Sequence, residues 1–361
     1  MTSGLLRSRL RKEKLAVKKL RYPSIANLDN YRTYNTLYNK IKRTAMKLYY
    51  ENKFKEFSKD IRATWETVKE ALGTSNKKTK ISNIFQIRNQ KVDNINSITD
   101  GFNEFFSKVG EELASRIHSS NINFSEFLGE RIVVDFIFAP LTPQTLMNIA
   151  SQMKPKTSQG PDYLSSKLLK DIIPIIIDPL CHISNLSLHT GYIPDRFKLA
   201  KVIPVFKSGD KTTFSNYRPI SLLSSLSKLL EKVVAKQMEG FLRVNSILYL
   251  HQYGFRKNHC TFHPILHFLN NIYEALNKEE PEYTLGIFLD LKKAFDTVDH
   301  GILLMKLDHY GFRGVSNQWF SNYLKGRKQY VSINGTNSDP RDIKHGVPQG
   351  SVLGPLYFSY L

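Results

Sequence analysis

Phe288-Leu289-Asp290-Leu291-Lys292-Lys293-Ala294-Phe295-Asp296 is the stretch that decides how the rest of this sequence is interpreted. The stretch begins at the end of residues 283–289, whose β-branched, aromatic and apolar side chains predict a short buried strand. A carboxylate at the end of such a strand costs free energy unless a partner such as a divalent cation pairs with it. The pattern therefore leaves two roles for Asp290, a turn residue that ends the strand or a metal ligand.

A second informative stretch, Gly346-Val347-Pro348-Gln349-Gly350-Ser351-Val352-Leu353-Gly354-Pro355, follows at a domain-scale distance. It comes after a predicted hairpin in which residues 328–333 form one strand, Asn334-Gly335 the turn and residues 342–344 the return. Small residues let the backbone of such a loop approach a ligand closely, and Gln349 offers both a donor and an acceptor. Ser351 is predicted to cap a following helix, which tolerates Pro355 near its start.

Together, the two stretches resemble the palm of reverse transcriptases from non-LTR (LINE-type) retrotransposons. Upstream stretches resemble the fingers of the same family and follow its order: Lys154-Pro155-Lys156-Thr157-Ser158-Gln159-Gly160-Pro161-Asp162, Ile203-Pro204-Val205-Phe206-Lys207-Ser208-Gly209-Asp210, Asn216-Tyr217-Arg218-Pro219-Ile220-Ser221-Leu222-Leu223 and Gln252-Tyr253-Gly254-Phe255-Arg256. The resemblance covers about residues 140–361. It implies an α/β fold, the fingers and partial palm of a right-hand polymerase, preceded by a basic and mostly helical region.

This resemblance implies an RNA-directed DNA polymerase, a nucleotidyltransferase that acts on an RNA template, a DNA primer and dNTPs with two Mg²⁺ ions. It makes Asp290 a catalytic metal ligand, assisted by the Leu291 carbonyl. It also places Phe295 under the sugar of the incoming nucleotide, where a ring clashes with a ribose 2′-OH. The other implied substrate-binding positions are Gln349 and Gly350 in the nucleotide pocket, and Arg256, Arg218 and Lys207 near the template and triphosphate. For these three basic residues, a solvated loop position is the alternative.

Several residues near these motifs have a structural alternative. Asp296 or Asp299 could cap a helix that begins near Val298, and Phe295 could be a core aromatic. A separate set, His259, Cys260, His263 and His267, has near-helical spacing of a kind that can bind zinc. Pro264 interrupts this spacing and is acceptable only near the first turn of a helix, so histidines on a helix face are the favoured interpretation.

The family's second pair of metal-binding carboxylates, in a Tyr-x-Asp-Asp hairpin, is expected beyond Leu361. The chain is therefore predicted to be truncated, with little or no polymerase activity of its own. Without the hairpin, Leu285, Ile287 and Leu289 are expected to flank an unpaired apolar edge. A non-catalytic nucleic-acid-binding remnant of a retroelement is the alternative function, and a functionless translation of a decayed element is a third.

The net charge of +20 is concentrated at the N-terminus. Residues 1–80 hold 21 Lys/Arg and 7 Asp/Glu, a balance of +14, which leaves +6 for the remaining residues. Such a segment predicts a polyanionic partner, of which nucleic acid is the simplest, and the alternative is a solvated basic helix. The residues predicted to contact nucleic acid are Lys12, Lys14, Lys18, Lys19, Lys42 and Arg43.

The predicted organisation is a basic arm over residues 1–20, a helical connector over 21–135 and the reverse transcriptase domain over 140–361. Helices are expected within residues 30–72, at 97–116 and at 225–244, with a linker at 73–78. Two cysteines imply no disulfide framework, which favours an intracellular location in the nucleus or cytoplasm. No run of the sequence is judged long enough to span a membrane, so no membrane partner is predicted, and the oligomeric state is left open.

Overall fold

A computed structural model describes residues 3–58, 60–72, 81–82, 84–87, 90–116, 123–280 and 282–358. The chain divides into two units, Met1–Lys80 and Ile81–Leu361. This division assigns the predicted helix at 97–116 to the second unit, whereas the sequence placed it in the connector. The boundaries at residues 20, 135 and 140 stay predictions, and the linker at 73–78 lies outside the described residues.

The described residues of the first unit form three helices, which are α1 (Ser3–Arg21), α2 (Ile25–Glu56) and α3 (Ile61–Ala71). Ser24 begins α2 because its hydroxyl accepts the N–H of Asn27. The first two helices pack against each other through tyrosines. The ammonium of Lys12 lies 4.8 Å from the centre of the buried Tyr38 ring, and that of Lys19 lies 4.9 Å from Tyr31. The helices expected within residues 30–72 are thus confirmed, and the basic arm is helical over Ser3–Arg21.

The second unit begins with a small hairpin, β1 (Phe85–Ile87) and β2 (Gln90–Val92). Its main sheet has five strands, which are β3 (Leu199–Phe206), β4 (Tyr217–Leu223), β5 (Arg327–Ile333), β6 (Thr336–Asn337) and β7 (Arg341–Ile343). Strand β3 lies between antiparallel β4 and parallel β5, with Val202 opposite Val331. Both β6 and β7 pair with β5, after a turn at Asn334 and Gly335 whose φ angles are +51° and +90°. The predicted hairpin is confirmed, with β6 as a strand that the prediction lacked.

The described part of the second unit also contains helices, most of which contribute buried side chains to the core. They are α4 (Ile95–Ala114), α5 (Pro143–Ser151), α6 (Ser166–Thr190), α7 (Ser225–Val244), α8 (Phe262–Leu276), α9 (His300–His309), α10 (Val315–Leu324) and α11 (Leu353–Phe358). The larger core cluster joins side chains of α5, α6, α7, α9 and α10. Phe102 of α4 packs with Val202, Tyr217 and Val331 of the sheet in a second cluster. The helix predicted at 225–244 has those bounds, and the mixture of helix and sheet agrees with the predicted α/β class.

The predicted buried strand at residues 283–289 is wrong. These residues form no strand, and the exposed fractions of Leu285, Ile287 and Leu289 are 85%, 75% and 87%. A strand requires a ladder of backbone hydrogen bonds to a neighbour, and no described residue supplies one here. The apolar side chains expected along an unpaired strand edge are exposed, but they belong to no strand.

Helix α6 is long and apolar enough to cross a membrane by length and composition, which corrects the expectation that no such run exists. Core helices of globular proteins pass the same test. Here Leu169, Ile173 and Leu188 of α6 are buried in the larger core cluster, and the indole N–H of Trp319 donates to Ser187 Oγ at 3.1 Å. The packing therefore accounts for the buried side of α6, while Ile175 and Leu186 of the same helix are 82% and 52% exposed.

Candidate nucleotide site

The centre of the candidate site is the contact between residues 293–298 and the loop of residues 346–350. Gly346 N–H donates to Val298 O, and Val347 N–H donates to Phe295 O, each at 2.8 Å. The side-chain amide of Gln349 donates to Asp296 Oδ1 at 2.9 Å. Three hydrogen bonds thus bring together the two stretches that the sequence singled out.

Strand β4 forms a third side of this site. Ser221 N–H donates to Gln349 O at 2.8 Å. Gly350 has a φ of +124°, and a Cβ at this position would lie 2.7 Å from Ser221 O. Only glycine combines this backbone conformation with so close an approach. The loop is therefore fixed between β4 and residues 293–298, and a cavity of about 40 Å³ is lined by Asp296, Gln349 and Ser221 among others.

Helix α4 contacts the backbone of residues 293–298, and the sequence did not predict this contact. A Cβ at Gly110 would lie 2.1 Å from Asp296 O, so the helix packs directly on the main chain. Gly346, with a φ of +79°, also packs on this main chain. A Cβ at Gly346 would lie 2.7 Å from both Phe295 O and Asp296 O. The only feature of the sequence that indicates this contact of α4 is a lone glycine inside an amphipathic helix, and such a glycine is weak evidence for close packing.

Asp296 is a member of the site rather than a helix cap. Burial raises the pKa of its carboxyl group, while the Gln349 amide and the Lys293 ammonium oppose this rise. Burial also lowers the pKa of Lys293, whose ammonium lies 4.4 Å from the centre of the Phe105 ring. The cap of α9 is Asp299, which accepts the N–H of Ile302 at 2.8 Å. Of the two candidate caps, the structure selects Asp299.

The Asp296→Asn variant should be more stable than the original protein at neutral pH, by on the order of 1 kcal/mol. A carboxyl whose folded pKa is raised favours the folded state least when it is ionised. Its unfavourable contribution grows as pH rises above the ordinary carboxyl range and is absent below it. Asparagine keeps the Oδ1 acceptor for Gln349 but does not titrate. Urea unfolding at pH 3.5 and pH 7.5 checks this prediction, which an equal difference at both pH values would contradict.

The Phe295 ring lies among other aromatic rings. It stacks on Phe358 with a centroid separation of 5.3 Å and meets Phe255 edge-on at 5.9 Å. The ring also packs against the larger core cluster, as the core alternative predicted, and it remains half-buried. Both ring contacts restrict its orientation.

The predicted basic residues differ in their surroundings. Arg256 is half-buried, and its Nη1 donates to the carbonyls of Tyr249, Leu250 and Gln252 at 3.2–3.4 Å. These bonds fix the loop that contains Arg256. Lys207 and Arg218 are exposed at the end of β3 and on β4. The structure therefore leaves the last two side chains accessible to solvent and gives Arg256 an additional structural role.

Asp290 and Leu291 are exposed and lie outside regular structure. Among the described residues, no group of three or more His, Cys, Asp or Glu side chains could hold a metal ion. The structure thus places no ready metal site at Asp290, and its role as a ligand stays a prediction.

In the histidine-rich segment, His263 and His267 lie on α8, as the favoured interpretation expects, whereas His259 and Cys260 precede the helix. Cys260 Sγ lies 3.6 Å from His263 Nδ1, while His267 stacks on His251 with a centroid separation of 4.4 Å. These contacts pair the side chains with each other and form no zinc site within the described part of the chain. Pro264 is the third residue of α8, so it lies in the first turn, where proline is tolerated.

Comparisons with known proteins agree on one family. Residues 207–361 match the family model described as reverse transcriptase (RNA-dependent DNA polymerase). In Drosophila melanogaster, the probable RNA-directed DNA polymerase from transposon BS is 34% identical over 61% of this chain and 24% of its own length. The RNA-directed DNA polymerase from mobile element jockey is 32% identical over 65% of this chain and 25% of its own length.

A more distant relative is the Pol polyprotein from type-1 retrotransposable element R1 of Bradysia coprophila. It is 27% identical over 65% of this chain and 24% of its own length. The chain thus spans about a quarter of the length of the relatives it matches. These similarities agree with the resemblance seen in the motifs, and the matched family model covers residues 293–298 and 346–350 of the candidate site.

Proposed function

Because residues 207–361 belong to the reverse transcriptase family, in the form found in non-LTR retrotransposons, we propose that this chain supplies the fingers and part of the palm of an RNA-directed DNA polymerase. The proposed substrates are an RNA template, a DNA primer and dNTPs. In the reaction, the primer 3′-OH attacks the α-phosphate of a dNTP, a phosphodiester bond forms and pyrophosphate leaves. The family generally uses divalent metal ions.

The observation that carries this proposal is the triple connection between residues 293–298 and the loop of residues 346–350. A polymerase must hold the nucleotide and primer end in one geometry, because positioning supplies much of the rate. The hydrogen bonds fix the backbone of Phe295 and Asp296 against the loop, and Gly350 lets the loop approach the main chain of β4 at Ser221. We assign Phe295 to sugar selection and Gln349 with Gly350 to the nucleotide pocket.

The remaining roles belong to the same proposal. Lys207 and Arg218 are exposed cations suited to phosphate, and Arg256 holds its loop while its side chain stays half-exposed. Asp290 and the Leu291 carbonyl are proposed as ligands of one of two Mg²⁺ ions. The described residues contain no group of three or more possible ligands, so they supply only part of the site that two Mg²⁺ ions require. For the same reason, the proposal includes little or no primer extension by the chain alone.

A binding experiment tests this function without requiring catalysis. The probe is a labelled DNA primer with a dideoxy 3′ end, annealed to an RNA template, with Mg²⁺ present. We expect the next complementary dNTP to slow dissociation of the primer–template about tenfold, which corresponds to about 1.4 kcal/mol. A mismatched dNTP is the matched control. If complementary and mismatched dNTPs act alike, the proposed nucleotide site is wrong.

A second candidate function, nucleic-acid binding by the first unit, is favoured by its charge. Lys14 and Lys18 are exposed one turn apart on α1, and Arg43 is exposed on α2. Lys12 and Lys19 instead lie over tyrosine rings, and Lys42 is half-buried. We propose that the exposed cations contact phosphates. An intracellular location, nuclear or cytoplasmic, is part of this proposal, and both cysteines are free.

Replacing Lys14 and Lys18 together by glutamine should weaken nucleic-acid binding and reduce its salt dependence. Each phosphate contact contributes about one unit to the slope of log K against log salt, so the slope should fall by about two. Anisotropy titrations of a labelled duplex between 50 and 200 mM salt, roughly, measure this change. The control is Lys325→Gln with Lys344→Gln, two exposed lysines of the second unit. Equal slopes for both variants and the original protein would contradict the assignment.

A further inference from the structure

A buried polar cluster adjoins the loop of residues 346–350. It consists of Glu231 on α7, Tyr323 on α10 and Arg327 at the start of β5, which are 1%, 2% and 3% exposed. Charged side chains are seldom buried so completely unless they are paired. The cluster took no part in the sequence motifs, and its position therefore requires its own explanation.

Glu231 contacts the chain immediately after the loop. Its Oε2 accepts the N–H of Val352 at 2.6 Å. Between the loop and this contact, Ser351 closes a turn, because its N–H and its hydroxyl both donate to Pro348 O, at 3.1 and 2.9 Å. The carboxylate thus holds the end of the loop, while the bond from Gln349 to Asp296 holds its middle.

Arg327 connects the cluster with the cavity of the candidate site. Its Nη1 donates to Tyr323 O at 3.1 Å, and its guanidinium lies 4.7 Å from the centre of the Tyr323 ring. The same side chain lines the cavity of about 40 Å³ together with Asp296 and Gln349. Burial raises the pKa of Glu231, and the charge of Arg327 opposes this rise. Two buried groups of opposite charge therefore lie next to the site, Glu231 against the end of the loop and Arg327 against the cavity.

Stability does not account for the cluster. Within the described part of the chain, Glu231 Oε1, Tyr323 Oη and Arg327 Nη2 are buried without a hydrogen bond of standard geometry, although the Tyr323 hydroxyl and the Glu231 carboxylate interact with each other. Each such group lowers stability, and apolar residues in place of a buried ion pair are often neutral or stabilising. The one well-formed bond of Glu231 is directed at the main chain of Val352. A role in holding that main chain explains why the acceptor is there.

We propose that Glu231 is a positioning residue for the nucleotide-binding loop: through the Val352 amide, and balanced by Arg327, it sets where Gln349 and Gly350 lie. This inference rests on the proposed function for its consequence in nucleotide binding. The position of the loop itself can be measured independently of that function. Glu231 contacts no substrate in this assignment and acts only through the backbone.

Three variants of the full chain separate positioning from simple stability. Glu231→Gln keeps an oxygen that can accept the Val352 N–H, whereas Glu231→Leu removes it. Glu231→Leu with Arg327→Met removes the acceptor and the unpaired charge together, and should recover thermal stability. The readouts are the melting temperature, amide hydrogen exchange of residues 346–352, and dissociation of the dideoxy-terminated primer–template with and without complementary dNTP.

We expect Glu231→Gln to stay within about threefold of the original protein in exchange and in the dNTP effect. Glu231→Leu should accelerate exchange of Val352 and the loop at least about tenfold and abolish the dNTP effect. The double variant should melt like the original protein and still show both losses. Recovery of loop exchange in the double variant, or unchanged exchange in Glu231→Leu, would overturn the proposal.

The two levels of inference fail in different ways. If the original protein shows no dNTP effect while exchange follows the expected pattern, the proposed function is wrong and the positioning role of Glu231 stands. If the dNTP effect is present in the original protein and persists in Glu231→Leu, the positioning role is wrong and the proposed function stands.

Discussion

Alanine in place of Gly110 is expected to destabilise the second unit by about 2–3 kcal/mol. The new Cβ would lie 2.1 Å from Asp296 O, a distance that non-bonded atoms do not tolerate. The neighbouring atom belongs to the main chain, so no side-chain rotation relieves the clash. Either α4 or residues 293–298 must move, and the second movement also displaces the bond between Asp296 and Gln349.

Urea unfolding of the full chain measures this loss, with Gly240→Ala as the matched control. Gly240 also lies inside a helix, α7, but its Cβ would meet no atom within 4 Å. Alanine there should stabilise the protein by about 0.5–1 kcal/mol, because it has the higher helix propensity. Opposite signs for the two substitutions are the expected result. A stable Gly110→Ala variant would mean that α4 does not pack on Asp296 as described.

The second large effect concerns the sugar selection proposed for Phe295. Alanine in place of this ring should reduce the preference for a complementary dNTP over the corresponding rNTP by about 10–100-fold, because a steric clash of this size contributes about 1–3 kcal/mol. The stacked Phe358 and the edge-on Phe255 restrict the ring, so it cannot easily turn away from a 2′-OH. The measurement is primer–template dissociation with each nucleotide.

Phe262→Ala provides the control for this experiment. Phe262 starts α8 and is 62% exposed, so its replacement removes a ring of the same size without changing the candidate site. The control should keep the preference for dNTPs. An rNTP that remains excluded by Phe295→Ala would show that Phe295 is only a core aromatic, the alternative that the sequence also allowed.

Much of the fold was predictable because local chemistry determined it. The helix at Ser225–Val244 follows from regular apolar spacing, and the hairpin turn follows from Asn334-Gly335, which adopts positive φ angles at little cost. The cap at Asp299 was one of two options. Residue types alone could not separate it from Asp296, because both carboxylates precede the same helix.

The prediction of a strand at residues 283–289 was wrong because a strand does not depend on local chemistry alone. The composition of this segment favours a strand, but a strand exists only when another segment provides hydrogen bonds. Arg256 illustrates a similar limit. A basic residue in a loop was expected to hold phosphate, and the structure adds three bonds to the carbonyls of its own loop. Sequence neighbours do not reveal such partners.

By itself, the sequence indicated the family that residues 140–361 resemble, the order of the motifs and the residues that a polymerase of this type would need. These depend on residue identity and spacing along the chain. Only the tertiary structure decided that Asp296 pairs with Gln349, that Gly110 packs on the Asp296 backbone and that Glu231 holds the Val352 amide. Each contact joins residues more than fifty positions apart, and the folded backbone alone brings such residues within hydrogen-bonding or van der Waals distance.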